Sequence, residues 1–140
     1  MISFQRNATR YINKLSHKLR RRLDAFSSVR DYSSAQGRIL SYLLLRDCDI
    51  FQKDIEEEYS IRPATATVLL KKMEKNGLIK REPVPYDARL KKITLTPKAL
   101  TYREQVFHDI VELETDLTRG ISEEELQIFY KVMEKMMENL

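Results

Sequence analysis

The sequence is poor in the residues that build turn-rich or cross-linked folds. It holds three Gly, four Pro and one Cys in 140 residues, and it has no Trp. So few Gly and Pro disfavour a turn-rich all-β fold and favour long helices. Cys48 has no second cysteine with which to form an intramolecular disulfide, so we expect a protein of the reducing cytoplasm.

Long apolar runs are also missing. The longest, Ile39 to Leu45, is interrupted by Ser41 and Tyr42, whereas a membrane-spanning helix needs about 20 apolar residues. The N-terminal segment lacks the apolar core of a signal peptide. We therefore expect no membrane partner.

The sequence motifs of enzymes and metal sites are lacking too. There is no Gly-rich phosphate loop and no nucleophile elbow. His17 and His108 lie far apart, with no second His or Cys at ligand spacing. Asp47 and Asp49 flank Cys48 and disfavour its reactive thiolate. We therefore predict no catalytic residue, no cofactor and no metal.

What the sequence does have is unevenly distributed charge. The net charge is +4. Residues 60–96 hold nine Lys or Arg against three Asp or Glu, and residues 1–31 hold eight against two, whereas residues 97–140 hold five against ten. Two basic segments and one acidic segment favour a molecule with one positive face.

Apolar periodicity predicts helices over most of the chain. Ser33 with Gln36, and Ser122 with Glu125, predict reciprocal capping boxes at two helix starts. Pro63 fits the first turn of a helix that Asn76-Gly77 ends. The helices are predicted over 4–26, over 52–59, over 63–76 and from Pro97 to Gly120, and two more begin at Ser33 and at Ser122. The hairpin is predicted as strands 78–82 and 91–95, joined by a loop of about eight residues.

This order of elements is that of a winged helix, whose second short helix commonly enters the major groove of DNA. The stretches SSAQGRILSYLL, QKDIEEEYSIRPATATVLLKKMEKNGLIKRE and DARLKKITLTPKAL resemble the MarR family of transcription regulators. The Asp-x-Arg wing is the most specific of these features. The resemblance implies a mainly α fold with a small β-hairpin wing, and a single domain over 1–140. Within it, 1–30 and 97–140 would be dimerisation helices, and 32–96 the DNA-binding lobe, with the helix-turn-helix at about 51–76 and the wing at about 78–95.

The resemblance also implies a function. Such a protein is a homodimer on pseudopalindromic double-stranded DNA, and many members are repressors released by a small aromatic effector. Two alternatives stay open: a redox- or metal-responsive regulator of the same fold, and a winged-helix interaction scaffold that does not bind DNA.

Residues with expected roles fall into three groups. An Arg at the wing suits the negative potential of the minor groove, and Asp87 is placed to hold Arg89 by a paired hydrogen bond. Ala64 and Val68 stand where the family commonly has polar residues, which favours contact with a thymine methyl group. The DNA-binding set is Arg62, Pro63, Ala64, Thr65, Thr67, Val68, Lys71, Lys72, Asp87, Arg89 and Lys91. The expected effector pocket is Tyr11, Tyr32 and Tyr42, and the expected dimer interface is Phe4, Tyr11, Leu126, Phe129, Tyr130, Met133 and Met137.

Overall fold

The computed structural model describes residues 2–140. The chain consists of two compact units, Met1–Asp109 and Ile110–Leu140. The elements are α1 (Ala8–Ser27), α2 (Ser34–Leu44), α3 (Gln52–Tyr59), α4 (Pro63–Lys75), β1 (Ile79–Val84), β2 (Asp87–Leu95), α5 (Pro97–Leu100), α6 (Arg103–Leu117) and α7 (Glu123–Glu138). None of the helices within 2–140 combines the length and apolar character needed to cross a bilayer.

The helix-turn-helix forms where the sequence predicts it. At the start of α3, the backbone N–H of Phe51 donates to the Asp54 carboxylate at 2.8 Å. At its end, Ser60 adopts a left-handed conformation with φ of 50°, which turns the chain sharply into α4. Pro63 occupies the first turn of α4, where the missing N–H costs no helical bond.

The two predicted capping boxes have different outcomes. Ser122 and Glu125 form both reciprocal bonds at the start of α7. At the start of α2, Ser33 Oγ accepts from the Gln36 backbone N–H as predicted. The Gln36 side chain, however, does not close the box. Its Oε1 accepts from Asn76 Nδ2 at 3.0 Å, because Gln36 is buried against the end of α4.

The hairpin differs from the prediction. We expected a loop of about eight residues, but Val84 pairs with Asp87, so the turn contains only Pro85 and Tyr86. Prolines are tolerated in a two-stranded hairpin because one edge of each strand is free.

The helix predicted from Pro97 to Gly120 is broken. The N–H groups of Thr101 and Tyr102 bond to carbonyls three residues earlier, which tightens the chain between α5 and α6. The Tyr102 ring then meets the Tyr32 ring edge-on at 5.2 Å between centroids. The break between α5 and α6 thus coincides with a tertiary contact, which the apolar periodicity of the sequence does not reveal.

The first helix also begins later than predicted. Asn7 caps α1 by accepting from the Arg10 N–H at 2.9 Å, so the helix starts at Ala8. Phe4 lies before it and is exposed.

The hydrophobic core of the first unit lies between residues 39 and 106. Its members come from α2, α3, α4, the hairpin, α5 and α6, and they include Leu40, Ile55, Leu70, Met73, Leu78 and Ile79. Apolar burial of this kind dominates the stability of small domains. Because α4 and the hairpin both contribute buried residues to this core, it also holds them in place relative to each other.

Candidate nucleic-acid interface

The helix α4 has a buried face and an outward face. Ala66, Leu70 and Met73 are buried, as predicted, and Leu69 is half-buried. The predicted contact residues occupy the other side. Arg62 is the N-cap residue, and the exposed positions are Arg62, Pro63, Ala64, Thr65, Val68, Lys71 and Lys72.

Thr67 differs from its neighbours because its hydroxyl is already engaged. Its Oγ1 donates to the Pro63 carbonyl at 2.9 Å and accepts from Gln52 Nε2 at 3.0 Å. Gln52 Nε2 also lies 3.3 Å from the same Pro63 carbonyl. These bonds join the first residue of α3 to the first turn of α4. Gln52 was not predicted as a site residue, since its partners lie 11 and 15 positions away.

The wing presents Arg89 from a bulge rather than from the hairpin tip. Pro83 pairs with Lys91 while Val84 pairs with Asp87, so Ala88, Arg89 and Leu90 bulge from β2 between the two pairs. The Arg89 side chain is 91% exposed. A bulge re-aims side chains in this way.

Asp87 holds Arg89 as predicted. Its Oδ1 accepts from the Arg89 backbone N–H at 2.9 Å and from Nε at 3.3 Å, and its Oδ2 lies 3.5 Å from Nη2. The guanidinium is therefore oriented while it remains in solvent. Lys91, also predicted, is exposed on the same strand, and Tyr86, which was not predicted, is 66% exposed at the turn.

Two contacts fix the wing relative to the helix-turn-helix. Arg81 Nε on β1 lies 2.9 Å from Glu74 Oε1 on α4. The Ile93 N–H on β2 donates to the Ile50 carbonyl at 2.7 Å, just before α3. Two cationic elements, the outward face of α4 and the wing, are thus held on one rigid base. Such a pair is suited to a polyanion, with Lys side chains for phosphates and the helix start for base edges.

A cavity of about 400 Å³ lies beside the end of α2, within the first unit. Its lining combines apolar side chains with two guanidinium groups and two carboxylates, from Leu44, Leu45, Arg46, Asp47, Arg103, Glu104 and Phe107. This size and mixture suit a small organic ligand.

The three tyrosines predicted for an effector pocket lie apart from that lining. Tyr11 is exposed on α1, and Tyr32 packs on Tyr102. Tyr42 packs edge-on against Tyr59 at 6.1 Å, and the Arg46 guanidinium lies 3.6 Å from the centre of its ring. Arg46 thus contacts the Tyr42 ring and also lines the cavity.

Burial raises the pKa of the Tyr hydroxyls in these aromatic pairs. Desolvation is the largest cause for Tyr32 and for Tyr42. The same effect raises the pKa of Tyr59 to about 12. The Tyr59 hydroxyl also donates to the Arg38 carbonyl at 2.6 Å, which requires the protonated form.

The predicted dimer residues carry apolar surface that the single chain leaves in solvent. On α7, in the second unit, Phe129, Tyr130 and Met137 are exposed, and Leu126 and Met133 are half-buried. On the N-terminal side, Phe4 and Tyr11 are exposed. Cys48 is exposed in the segment between α2 and α3.

The sequence and the fold were compared with those of known proteins. A sequence profile described as MarR family matches residues 30–90. The transcription regulator MarR from Oenococcus oeni PSU-1 is 30% identical over 94% of this chain and 99% of its own, with a TM-score of 0.85. A search of curated protein sequences finds no match.

Two structures of S. aureus MepR are similar as well. MepR in a complex with DNA is 26% identical over 96% of this chain and 99% of its own, with a TM-score of 0.83. MepR in its DNA-binding conformation is 26% identical over 96% and 98%, with a TM-score of 0.88. Both carry the winged-helix fold described above for this chain.

Proposed function

The chain belongs to the MarR family of transcription regulators, and on that premise we propose that it is a homodimeric, sequence-specific repressor that binds double-stranded DNA. Residues 32–96 are the DNA-binding lobe in this proposal, and the segments 1–30 and 97–140 form the dimer.

The observation that carries the proposal is the combined surface of α4 and the wing. The wing offers Arg89, which is exposed yet oriented by Asp87. The helix offers an exposed N-terminal turn and the exposed Lys71 and Lys72. A reader helix in the major groove and an Arg in the minor groove together bind DNA in the manner of a winged helix. The DNA complex of the similar protein MepR supports this assignment.

The dimer is supported by the character of α1 and α7. Every residue of both helices, all within the described part of the chain, keeps some solvent exposure. An amphipathic helix needs a partner for its apolar face. A second copy of the chain supplies one, and a two-fold axis then pairs two winged helices with two DNA half-sites.

The cavity beside α2 is our candidate site for the effector. Its lining brings Phe107 together with two arginines, Arg46 and Arg103. We propose that a small aromatic acid or phenol occupies it, with the ring on the apolar groups and the anion on a guanidinium. In this proposal the cavity, rather than the three predicted tyrosines, is the centre of the pocket.

Selection from a pool of random-sequence DNA duplexes tests the proposal. The full-length protein is expected to enrich an inverted repeat whose half-site centres lie about one helical turn apart. Two chains should bind each duplex, as measured by light scattering of the complex. If no sequence is enriched at low salt, the protein is not a sequence-specific DNA binder, and the interaction scaffold becomes the better account.

A further inference from the structure

The hydrogen bonds between Gln52, Pro63 and Thr67 limit which partners the Thr67 hydroxyl on α4 can bind. A hydroxyl has one hydrogen to donate and two lone pairs to accept with. In Thr67 the hydrogen is directed to the Pro63 carbonyl, and one lone pair takes the hydrogen bond from Gln52 Nε2. To donate to a base, the Thr67 hydroxyl must first give up its bond to Pro63.

Thr65 provides the contrast on the same helix. Its side chain is exposed, whereas that of Thr67 is half-buried beside Gln52. The same chemical group therefore stands in two environments two residues apart. One hydroxyl is free to meet a base edge, and the other lies within a link between two helices.

We infer that Gln52 is a positioning residue of the DNA interface that acts through Thr67, and that the pair sets the orientation of α4 on α3 without discriminating between bases. Both side chains then contribute to affinity for every DNA sequence alike. Exposed groups such as Thr65 then discriminate between bases at the start of α4. The inference rests on the proposed function and changes the role that the sequence predicts for Thr67.

The test compares motifs selected from random-sequence duplexes by four full-length proteins: wild type, Gln52→Ala, Thr67→Val and Thr65→Val. Gln52→Ala and Thr67→Val are expected to select the wild-type motif but to bind it about two- to tenfold more weakly, the range for one lost hydrogen bond. Thr65→Val, the matched control, is expected to lose the preference at one position in each half-site.

Two further variants separate positioning from simple structural damage. Gln52→Ala/Thr67→Val should bind no more weakly than Gln52→Ala alone, because Gln52→Ala already removes both hydrogen bonds from Gln52 to α4. Thr67→Ser keeps the hydroxyl and should restore wild-type affinity. All binding is measured well below each variant's melting temperature, so that the folded form is compared.

The inference is overturned if Thr67→Val changes the selected motif, including loss of a preference for a base with an exocyclic amino group. It is also overturned if the loss of DNA affinity in the double variant equals the product of the fold-losses in Gln52→Ala and Thr67→Val. A wild-type protein that enriches no motif would instead refute the proposed function itself.

Discussion

The carboxylate of Asp87 holds Arg89 by both its backbone and its side chain. Oδ1 accepts from the Arg89 N–H at 2.9 Å and from its Nε at 3.3 Å, yet the guanidinium remains almost wholly in solvent. An exposed ion pair contributes little to stability. This arrangement is better explained as preparation of Arg89 for a partner.

Replacing Arg89 with Ala is expected to weaken DNA binding across sequences. The loss of one cation should also lower the slope of log affinity against log salt by about 1. Arg89→Lys is the matched control, since it keeps the charge and the slope but lacks the planar guanidinium fork. Fluorescence anisotropy over a salt series measures both quantities. An unchanged affinity and slope in Arg89→Ala would remove the wing from the interface.

Alkaline pH is expected to destabilise the first unit through Tyr59. Its pKa in the folded chain is about 12, against an ordinary value of 10.0. The folded chain therefore keeps a proton that the unfolded chain loses. This contribution is fully present below pH 10 and disappears as the pH rises towards 12. Because Tyr59 is only partly buried, we expect a loss of about 1 kcal/mol.

Urea unfolding at about pH 9 and about pH 11 measures this effect. Other groups titrate in the same range, so the comparison is with Tyr59→Phe, which has no phenolic proton. The wild type should lose more stability than the variant between the two pH values. Equal losses would show that Tyr59 does not couple to folding.

Adding a methyl group at Gly37 is expected to destabilise the protein. A Cβ there would lie 2.9 Å from Cε2 of Tyr32 and 3.3 Å from Ser27 Oγ. Alanine is the better helix former, but the Tyr32 ring is held against Tyr102 and has little freedom to move. We expect Gly37→Ala to cost about 1–3 kcal/mol in chemical denaturation. In a Tyr32→Ala background the cost should largely vanish, and a cost that persists would place the clash elsewhere.

Filling the cavity is expected to separate effector response from DNA binding. Leu45 lines the cavity but lies outside the buried core. Leu45→Trp should block the space and leave the α4 surface intact. We expect normal DNA affinity but no release by benzoates or phenols that dissociate the wild-type complex. Release that survives the substitution would place the effector at another site.

Local sequence signals predicted much of this fold. Pro63 at the start of α4 and the Ser122–Glu125 capping box depend on neighbouring residues, so sequence alone reveals them. The Asp87–Arg89 pair is equally local. Contacts between distant residues were missed. Gln36 bonds to Asn76 rather than to its own helix start, and the break before α6 accompanies the contact between Tyr102 and Tyr32.

The candidate site shows the same limit. The sequence identifies the outward residues of α4 because helical periodicity separates them from the buried ones. It does not show that Gln52 engages Thr67, because that bond requires α3 to pack on α4. The wing was predicted as a hairpin, but with a loop of about eight residues, since Pro83 and Pro85 resemble loop residues. Pairing across the hairpin instead leaves a short turn and a bulge.

In the DNA complex that we propose, α4 enters the major groove while Arg89 enters the minor groove. Dimethyl sulfate footprinting on the selected duplex tests it directly, because the reagent methylates guanine N7 in the major groove and adenine N3 in the minor groove. We expect the wild type to protect both kinds of site, and Arg89→Ala to lose only the adenine protection. Guanines left unprotected by the wild type, or adenine protection that survives in Arg89→Ala, would contradict it.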